Sequence, residues 1–225
     1  MILLAEIIIP VLNEEKILKE KRDYYLWLKE QCQIIFVDGG SYDRTVNLAQ
    51  EFGKVISSDP GRYIQMNRGA LEGQRKYFLF LHVDTFLTSK GLQRINEAIT
   101  QGVNGGCLTL AIADSKFIFR IFEWLVNIRA RYFRVFDGDL GLLVRKDIFQ
   151  ELGGFDEVKI MEDILFSKKI KKRYEMIVLP EKIHVSSRVW YEKGFLKTFL
   201  WYSRVYIKFW QSEFFVRDYI IKEPV

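Results

Sequence analysis

Residues 7–41 read IIIPVLNEEKILKEKRDYYLWLKEQCQIIFVDGGS, and the alternation inside this stretch decides the fold class. Ile7–Pro10 is a short apolar run. Glu14–Lys29 is polar, with Ile17, Leu18, Tyr25 and Leu28 at helical spacing, and Gln33–Val37 is again apolar and β-branched. Strands apolar on both faces are buried on both faces, so the unit is strand, helix, parallel strand. Working outward, Asp43–Phe52 predicts a helix, Lys54–Ser57 a strand, Tyr63–Leu71 a helix and Tyr77–Val83 a strand. This repetition implies an α/β fold, a Rossmann-like, mostly parallel sheet with helices on both faces.

Beyond Asp84 the pattern loosens into a mixed half. Ser89 is expected to cap a helix running to about Ile99. Gly105–Ala113 reads as a strand, Lys116–Phe133 as a long apolar and basic helix, and Leu140–Val144 as a strand. Glu162–Lys172 reads as a helix, Glu175–Leu179 as a strand and Gly194–Gln211 as a closing helix. At the other end, Met1–Leu12 is apolar but carries Glu6 and Pro10, lacks a basic leader and is too short to span a bilayer. It reads as a buried strand and not as a signal peptide.

With 225 residues, 49% hydrophobic and 28% charged, and no repeat or linker, a single globular domain is expected. Cys32 and Cys107 form no CxxC, which suits a reducing, cytoplasmic compartment. Only His82 and His184 are present, so a multi-histidine metal site is excluded; carboxylate ligands favour Mg²⁺ or Mn²⁺. Residues 164–225 hold thirteen Lys/Arg against six Asp/Glu, a net +7, so the preceding residues carry −2 of the overall +5. Basicity confined to one end argues against a nucleic-acid-coating protein and for a local anionic surface or ligand.

Ligands of open parallel sheets sit beyond the carboxyl ends of the strands, where three segments end in polar residues: Pro10 to Glu15, Asp38 to Ser41, and His82 to Asp84. Asp38, before two glycines, is suited to a ribose or base contact or, equally, to capping the next helix. His82 and Asp84, two apart, are expected on one face of their strand; Asp84 is a candidate metal ligand or the start of a turn. Arg62, opening a helix, is placed for phosphate. Glu162 and Asp163 lie at a helix N-terminus, where negative charge is favoured and where a carboxylate can also act as a base. GxGxxG after the first strand and GxxxxGK[ST] are both absent, which disfavours dinucleotide and P-loop enzymes.

Taken together, IIIPVLNEE, VDGGSYDRT, FLHVDT, GGFDE and EDILFSKKIKK resemble, in order and spacing, the family-2 glycosyltransferases of the GT-A fold over about residues 5–195. GRYIQMNRGA, HVDT, GDLGLLVRK and SSRVWYEKG are similar to a subgroup of small bacterial members. The resemblance implies transfer of a sugar from a nucleoside-diphosphate sugar to a hydroxyl acceptor, lipid-linked acceptors included, with inversion and with Mn²⁺ or Mg²⁺. It implies Asp163 as base and Asp84 as metal ligand, with His82 where the family usually has the first Asp of Asp-x-Asp. Pro10, Asn13, Glu14, Asp38, Arg62, Asn67 and Arg188 would line the donor site, and Glu162, Asp139 and Trp190 the acceptor side. On this reading residues 1–100 bind nucleotide, 101–190 carry the catalytic half and 191–225 form an aromatic and basic helix and tail. In that tail Phe195, Phe199, Tyr202, Tyr206 and Phe209 recur at helical steps beside Lys193, Lys197, Arg204 and Lys208, so peripheral contact with the inner membrane face, or a homodimer, is expected there. The alternatives are a non-catalytic nucleotide-sugar or lipid-binding module and a sugar-1-phosphate nucleotidyltransferase; the latter wants a Gly- and Arg-bearing loop after the first strand, which PVLNEEKIL lacks.

Overall fold

The computed structural model describes residues 2–158 and 160–192, together with 194, 197, 199 and 204. In chain order the elements are β1 (Ala5–Val11), α1 (Glu15–Glu20), α2 (Arg22–Gln31), β2 (Gln33–Asp38), α3 (Thr45–Gln50), β3 (Lys54–Ser57), α4 (Arg62–Glu72), β4 (Tyr77–Phe80), β5 (Thr85–Phe86) and α5 (Ser89–Thr100). They continue with β6 (Gly105–Ile112), α6 (Phe117–Ile128), β7 (Leu142–Arg145), α7 (Lys146–Glu151), α8 (Glu162–Ile170), β8 (Ile177–Val185) and α9 (Arg188–Glu192). A π-helical turn, Arg129–Phe133, extends α6, and a 3₁₀ turn, Gly138–Leu140, leads into β7.

One eight-stranded sheet runs in the order β3-β2-β1-β4-β7-β6-β8-β5. The first four strands are parallel, β7 is antiparallel to both β4 and β6, β8 is parallel to β6, and β5 runs against β8. The carboxyl ends of β1 to β4, β6 and β8 therefore share one edge with the entrances to β7 and β5. That edge receives every loop of the site. β1 is buried along its whole length, Pro10 included, which fits a central strand covered on both sides. One core holds α1, α2 and α5 against the sheet through residues such as Ile7, Ile9, Leu28 and Ile95; the other holds α4, α6, α7 and α8 through Ile8, Phe80, Phe149 and Phe166. Gly69 lets α4 press on β1, since a Cβ there would lie 2.5 Å from Ile8 Cγ2.

Several expectations are corrected. Glu14–Lys29 is two helices, broken at Lys21 so that Tyr25 can turn inward and donate to the Val83 carbonyl at 2.6 Å. Thr88, not Ser89, caps α5, accepting from the Gly91 amide at 3.1 Å. Lys116–Phe133 is α6 followed by the π turn. The last expected strand extends to Val185 through Pro180, because a register shift opposite Cys107–Thr109 removes the need for a proline N–H. β4 ends at Phe80, so His82 and Asp84 lie in the turn beyond it and not on one strand face. Among the described residues no helix is long and apolar enough to cross a membrane. Most of the expected Gly194–Gln211 helix lies outside the described residues; Phe199, which is described, packs against the second core.

Candidate active site

At the carboxyl ends of β1 and β2 the two loops hold each other. Asn13 takes a left-handed conformation (φ 55°), its amide donates to Ser41 Oγ at 2.9 Å, and its Oδ1 accepts from the Tyr42 amide at 3.0 Å. Asp38 accepts from the amides of Gly40 and Ser41, which leaves carboxylate lone pairs for a ligand. Its partners are in its own loop, and it does not cap α3. Gln65, which sequence reasoning passed over, reaches from α4 and donates to the carbonyls of Val11 and Val37 at 2.9 and 2.7 Å, tying the strand ends together. Pro10 is buried inside β1, one residue before the strand ends at Val11. Asn67 has both ends of its amide on the Phe155 backbone at 2.9 Å, so it fastens the GGFD loop to α4 and is not presented to a donor.

The second cluster forms where the end of β4 meets the entrance to β7. His82 Nδ1 lies 3.0 Å from Asp139 Oδ1, while Nε2 is buried and faces Gly138. Across Gly138 stands Asp163, at the start of α8, whose Oδ2 accepts from the Gly138 amide and whose Oδ1 accepts from the Ile164 amide at 2.7 Å. A Cβ on Gly138 would lie 2.5 Å from His82 Nε2 and 3.1 Å from Asp163 Oδ2, so only glycine fits between them. Met161 at the head of α8 is left-handed (φ 65°), which turns Glu162 inward: its side chain is 1% exposed, neither carboxylate oxygen has a hydrogen bond, and Arg62 Nε lies 3.3 Å away. Arg129 pairs with Asp137 beside this cluster, and Arg188 with Glu14 at 3.1 Å on the opposite rim.

The charges are unevenly compensated. Burial, then the Glu162 carboxylate, pushes Asp163 up to about 7. Burial, then the Asp139 carboxylate, raises Asp84 above the usual carboxylate range. Burial disfavours charge on His82, but the Asp139 hydrogen bond outweighs it and raises the imidazole; Asp139, whose side chain is partly exposed, is held down by its hydrogen bond to His82. Two acids, each raised by burial and by a different neighbouring carboxylate, mark an edge of the fold short of positive charge.

A divalent cation suits that imbalance, with a qualification of geometry. Among the described residues no group of three or more His, Cys, Asp or Glu is arranged to hold a metal ion. His82, expected as a second ligand, has its Nδ1 on Asp139 and its Nε2 against Gly138. The residues present fit a cation held by Asp84 and completed by phosphate oxygens and water, as Mg²⁺ and Mn²⁺ accept, and do not fit a closed protein cage.

The sequence matches the family model for glycosyl transferase family 2 over residues 6–144. The chain belongs to glycosyl transferase family 2. Comparison with curated protein sequences gave no match. Among solved structures, S. aureus TarS 1–349 is similar at 19% identity with a TM-score of 0.65, over 81% of this chain and 60% of that one. The same TarS fragment in complex with UDP gives 0.66 at 17% identity, over 80% of this chain and 60% of that one. The mannosyltransferase PcManGT from Pyrobaculum calidifontis, in complex with GDP-Man and Mn²⁺, gives 0.60 at 15% identity, over 82% of this chain and 57% of that one. The chain thus spans about 60% of the TarS fragment, and the family-2 transferase shares with these structures the GT-A fold.

The site also departs from expectation at its edges. Trp190, expected on the acceptor side, is buried with its ring 4.9 Å from that of Phe122, in the core under α6. Gly138 and Gln65 were missed as site residues. Gln65 stands inside the GRYIQMNRGA string but nothing local marks its reach to β1 and β2, whereas the GDLG string around Gly138 marks a backbone that a side chain would obstruct.

Proposed function

We propose that this family-2 transferase moves a sugar from a nucleoside-diphosphate sugar to a hydroxyl acceptor by a single displacement, with Asp163 as the base. The observation that carries the reading is Asp163 itself: a half-buried carboxylate held by the Gly138 and Ile164 amides, raised to about 7 by desolvation and Glu162, at the sheet edge where ligands bind such folds. A carboxylate raised toward neutrality is a stronger base toward the proton of an attacking hydroxyl than an ordinary one. Asn13, Glu14 and Asp38 would receive the nucleoside, and Arg62 and Arg188, at present paired with Glu162 and Glu14, would supply positive charge to the diphosphate. Asp84 would hold Mn²⁺ or Mg²⁺, which when bound neutralises the departing diphosphate. The UDP, UDP-GlcNAc and GDP-Man complexes of the similar structures support a nucleotide-sugar donor.

In this reading residues 1–225 are one domain, with 1–100 on the nucleotide side, 101–190 on the catalytic side and 191–225 as an accessory segment, working at the cytoplasmic face of a membrane on a lipid-linked acceptor. One base and no paired nucleophile imply inversion. A thermal-shift screen of nucleoside diphosphates and nucleotide sugars, with and without Mn²⁺, tests donor binding by mass action. Proton NMR of the fresh product then reads the anomeric configuration, and retention overturns the single displacement. The non-catalytic alternative is favoured by the commitment of His82 to Asp139; Mn²⁺-dependent donor hydrolysis excludes it.

A further inference from the structure

Helix α6 is apolar on two sides. Phe119, Val126 and Ala130 face the core, as a helix of this fold requires. On the other side Phe117, Ile118, Ile121, Trp124, Leu125 and Tyr132 stand out of the protein, at intervals of one, three or four residues until the π turn. At 100° per residue they form one stripe, centred roughly opposite the buried one. Phe117 is 76% exposed, Trp124 62% and Tyr132 78%. An exposed contiguous patch of this kind marks an interaction surface.

We infer that this outward face of α6 and its π turn seats the protein on an anionic membrane surface. The charge around it selects that occupant. Every exposed residue in 113–134 is apolar, small or basic, with Lys116, Arg120 and Arg131 bordering the stripe. The two acids of the segment are turned to internal partners: Asp114 accepts from Tyr191 Oη at 2.6 Å, and Glu123 accepts from the Ile112 amide and pairs with Arg120 at 3.0 Å. A second copy meeting this face across a two-fold axis would set basic borders against each other. The chain's own residues 193–225 carry six Lys/Arg and three Asp/Glu, again the wrong sign. Aromatic and aliphatic residues bordered by cations, without exposed acids, match a helix lying in the headgroup region.

The surface is continuous with the candidate site. The π turn carries Arg129, paired with Asp137, and the next residues are Gly138 and Asp139. An apolar cleft of about 290 Å³, lined by Ile118, Phe119, Trp190 and Tyr191, opens at the other end of α6. A membrane bound here would present an amphiphilic acceptor beside the catalytic edge; this last clause rests on the proposed function, whereas membrane binding does not.

The test is co-sedimentation of the full chain with vesicles of phosphatidylcholine alone and of phosphatidylcholine with phosphatidylglycerol, at low and high salt. The wild type should sediment with the anionic vesicles and be released by salt. Phe117→Ser/Trp124→Ser should lower partitioning about tenfold or more, and Arg131→Glu should lower it on anionic vesicles only, both variants keeping the wild-type melting temperature and the nucleoside-diphosphate thermal shift. Binding that survives both variants, absence of binding to any vesicle, or a wild-type dimer that becomes monomeric in Phe117→Ser/Trp124→Ser overturns the assignment. Loss of the nucleotide shift in the wild type would instead count against the donor site and leave the vesicle result standing.

Discussion

Replacing Gly138 by alanine offers the sharpest probe of the candidate site. The new Cβ falls 2.5 Å from His82 Nε2, 2.7 Å from Cε1 and 3.1 Å from Asp163 Oδ2, whereas ordinary contact begins near 3.4 Å. The imidazole must therefore give way by roughly 0.9 Å, or the Gly138 backbone must move by a similar amount and drag its hydrogen bond to Asp163 with it. Neither side yields freely, because Asp139 holds the far nitrogen of the ring at 3.0 Å and Asp163 is fixed by the Ile164 amide. Gly138 does not lie in the left-handed region, so the effect is steric. Overpacking costs about 1–3 kcal/mol of stability, which a domain of this size tolerates. Displacing a reacting group by close to an ångström costs about 10²-fold in rate. Gly138→Ala should thus lower kcat for nucleoside-diphosphate release in the presence of acceptor by about 10² while leaving donor affinity near wild type. Adding His82→Ala, which removes the obstruction, should cost less than the two changes summed. A folded Gly138→Ala protein with wild-type kcat would refute the claim that this glycine sets the position of the base.

Transfer should rise with pH through about 7 as Asp163 ionises. Glu162→Gln removes the charge that, after burial, raises Asp163, so the acid limb of kcat should move to lower pH; an unmoved limb would show that Asp163 is not the titrating base. Since its folded pKa exceeds the unfolded value, Asp163 withdraws stability as pH rises from about 4 to about 7 and the loss persists above. Asp163→Asn should therefore melt higher than wild type at about pH 8 but not at about pH 4, while transfer falls by about 10²–10⁴. Calorimetry of nucleoside diphosphate with Mn²⁺ should show weakened binding in Asp84→Ala, and unchanged affinity would remove Asp84 from the metal site.

The N-terminal half was legible because its strands are short apolar runs closed by polar loops, and each such run from Ile7 to Phe80 is a parallel strand. Periodicity carries no strand direction, so the antiparallel course of β7, which brings Gly138–Leu140 to the edge that holds the candidate site, could not be read from it. Pro180 looked like a strand end and is accommodated by a register shift between β8 and β6, a property of the pair and not of either sequence. Asp163, Asp84 and Asp38 stood out as candidates by their positions after apolar runs or at a helix start, and the roles proposed for them came from the family resemblance. The His82–Asp139 contact joins residues 57 apart, and Gln65 reaches 54 residues back, so no local pattern announces either.

The ion pair between Glu14 and Arg188 bridges 174 positions, and the Asp84 carbonyl meets the Ser186 amide. β1 to β4 can associate from contacts near in sequence, whereas closure of the pocket requires the two ends of the domain to meet. Loops of that length close late and slowly. During synthesis the N-terminal half is therefore available to fold well before residue 188 has been made, and the candidate site becomes complete only when the later half docks. Completion of the candidate site is thus a report on finished folding, and a nascent chain interrupted before α9 would have its parallel strands but not the Glu14–Arg188 pair.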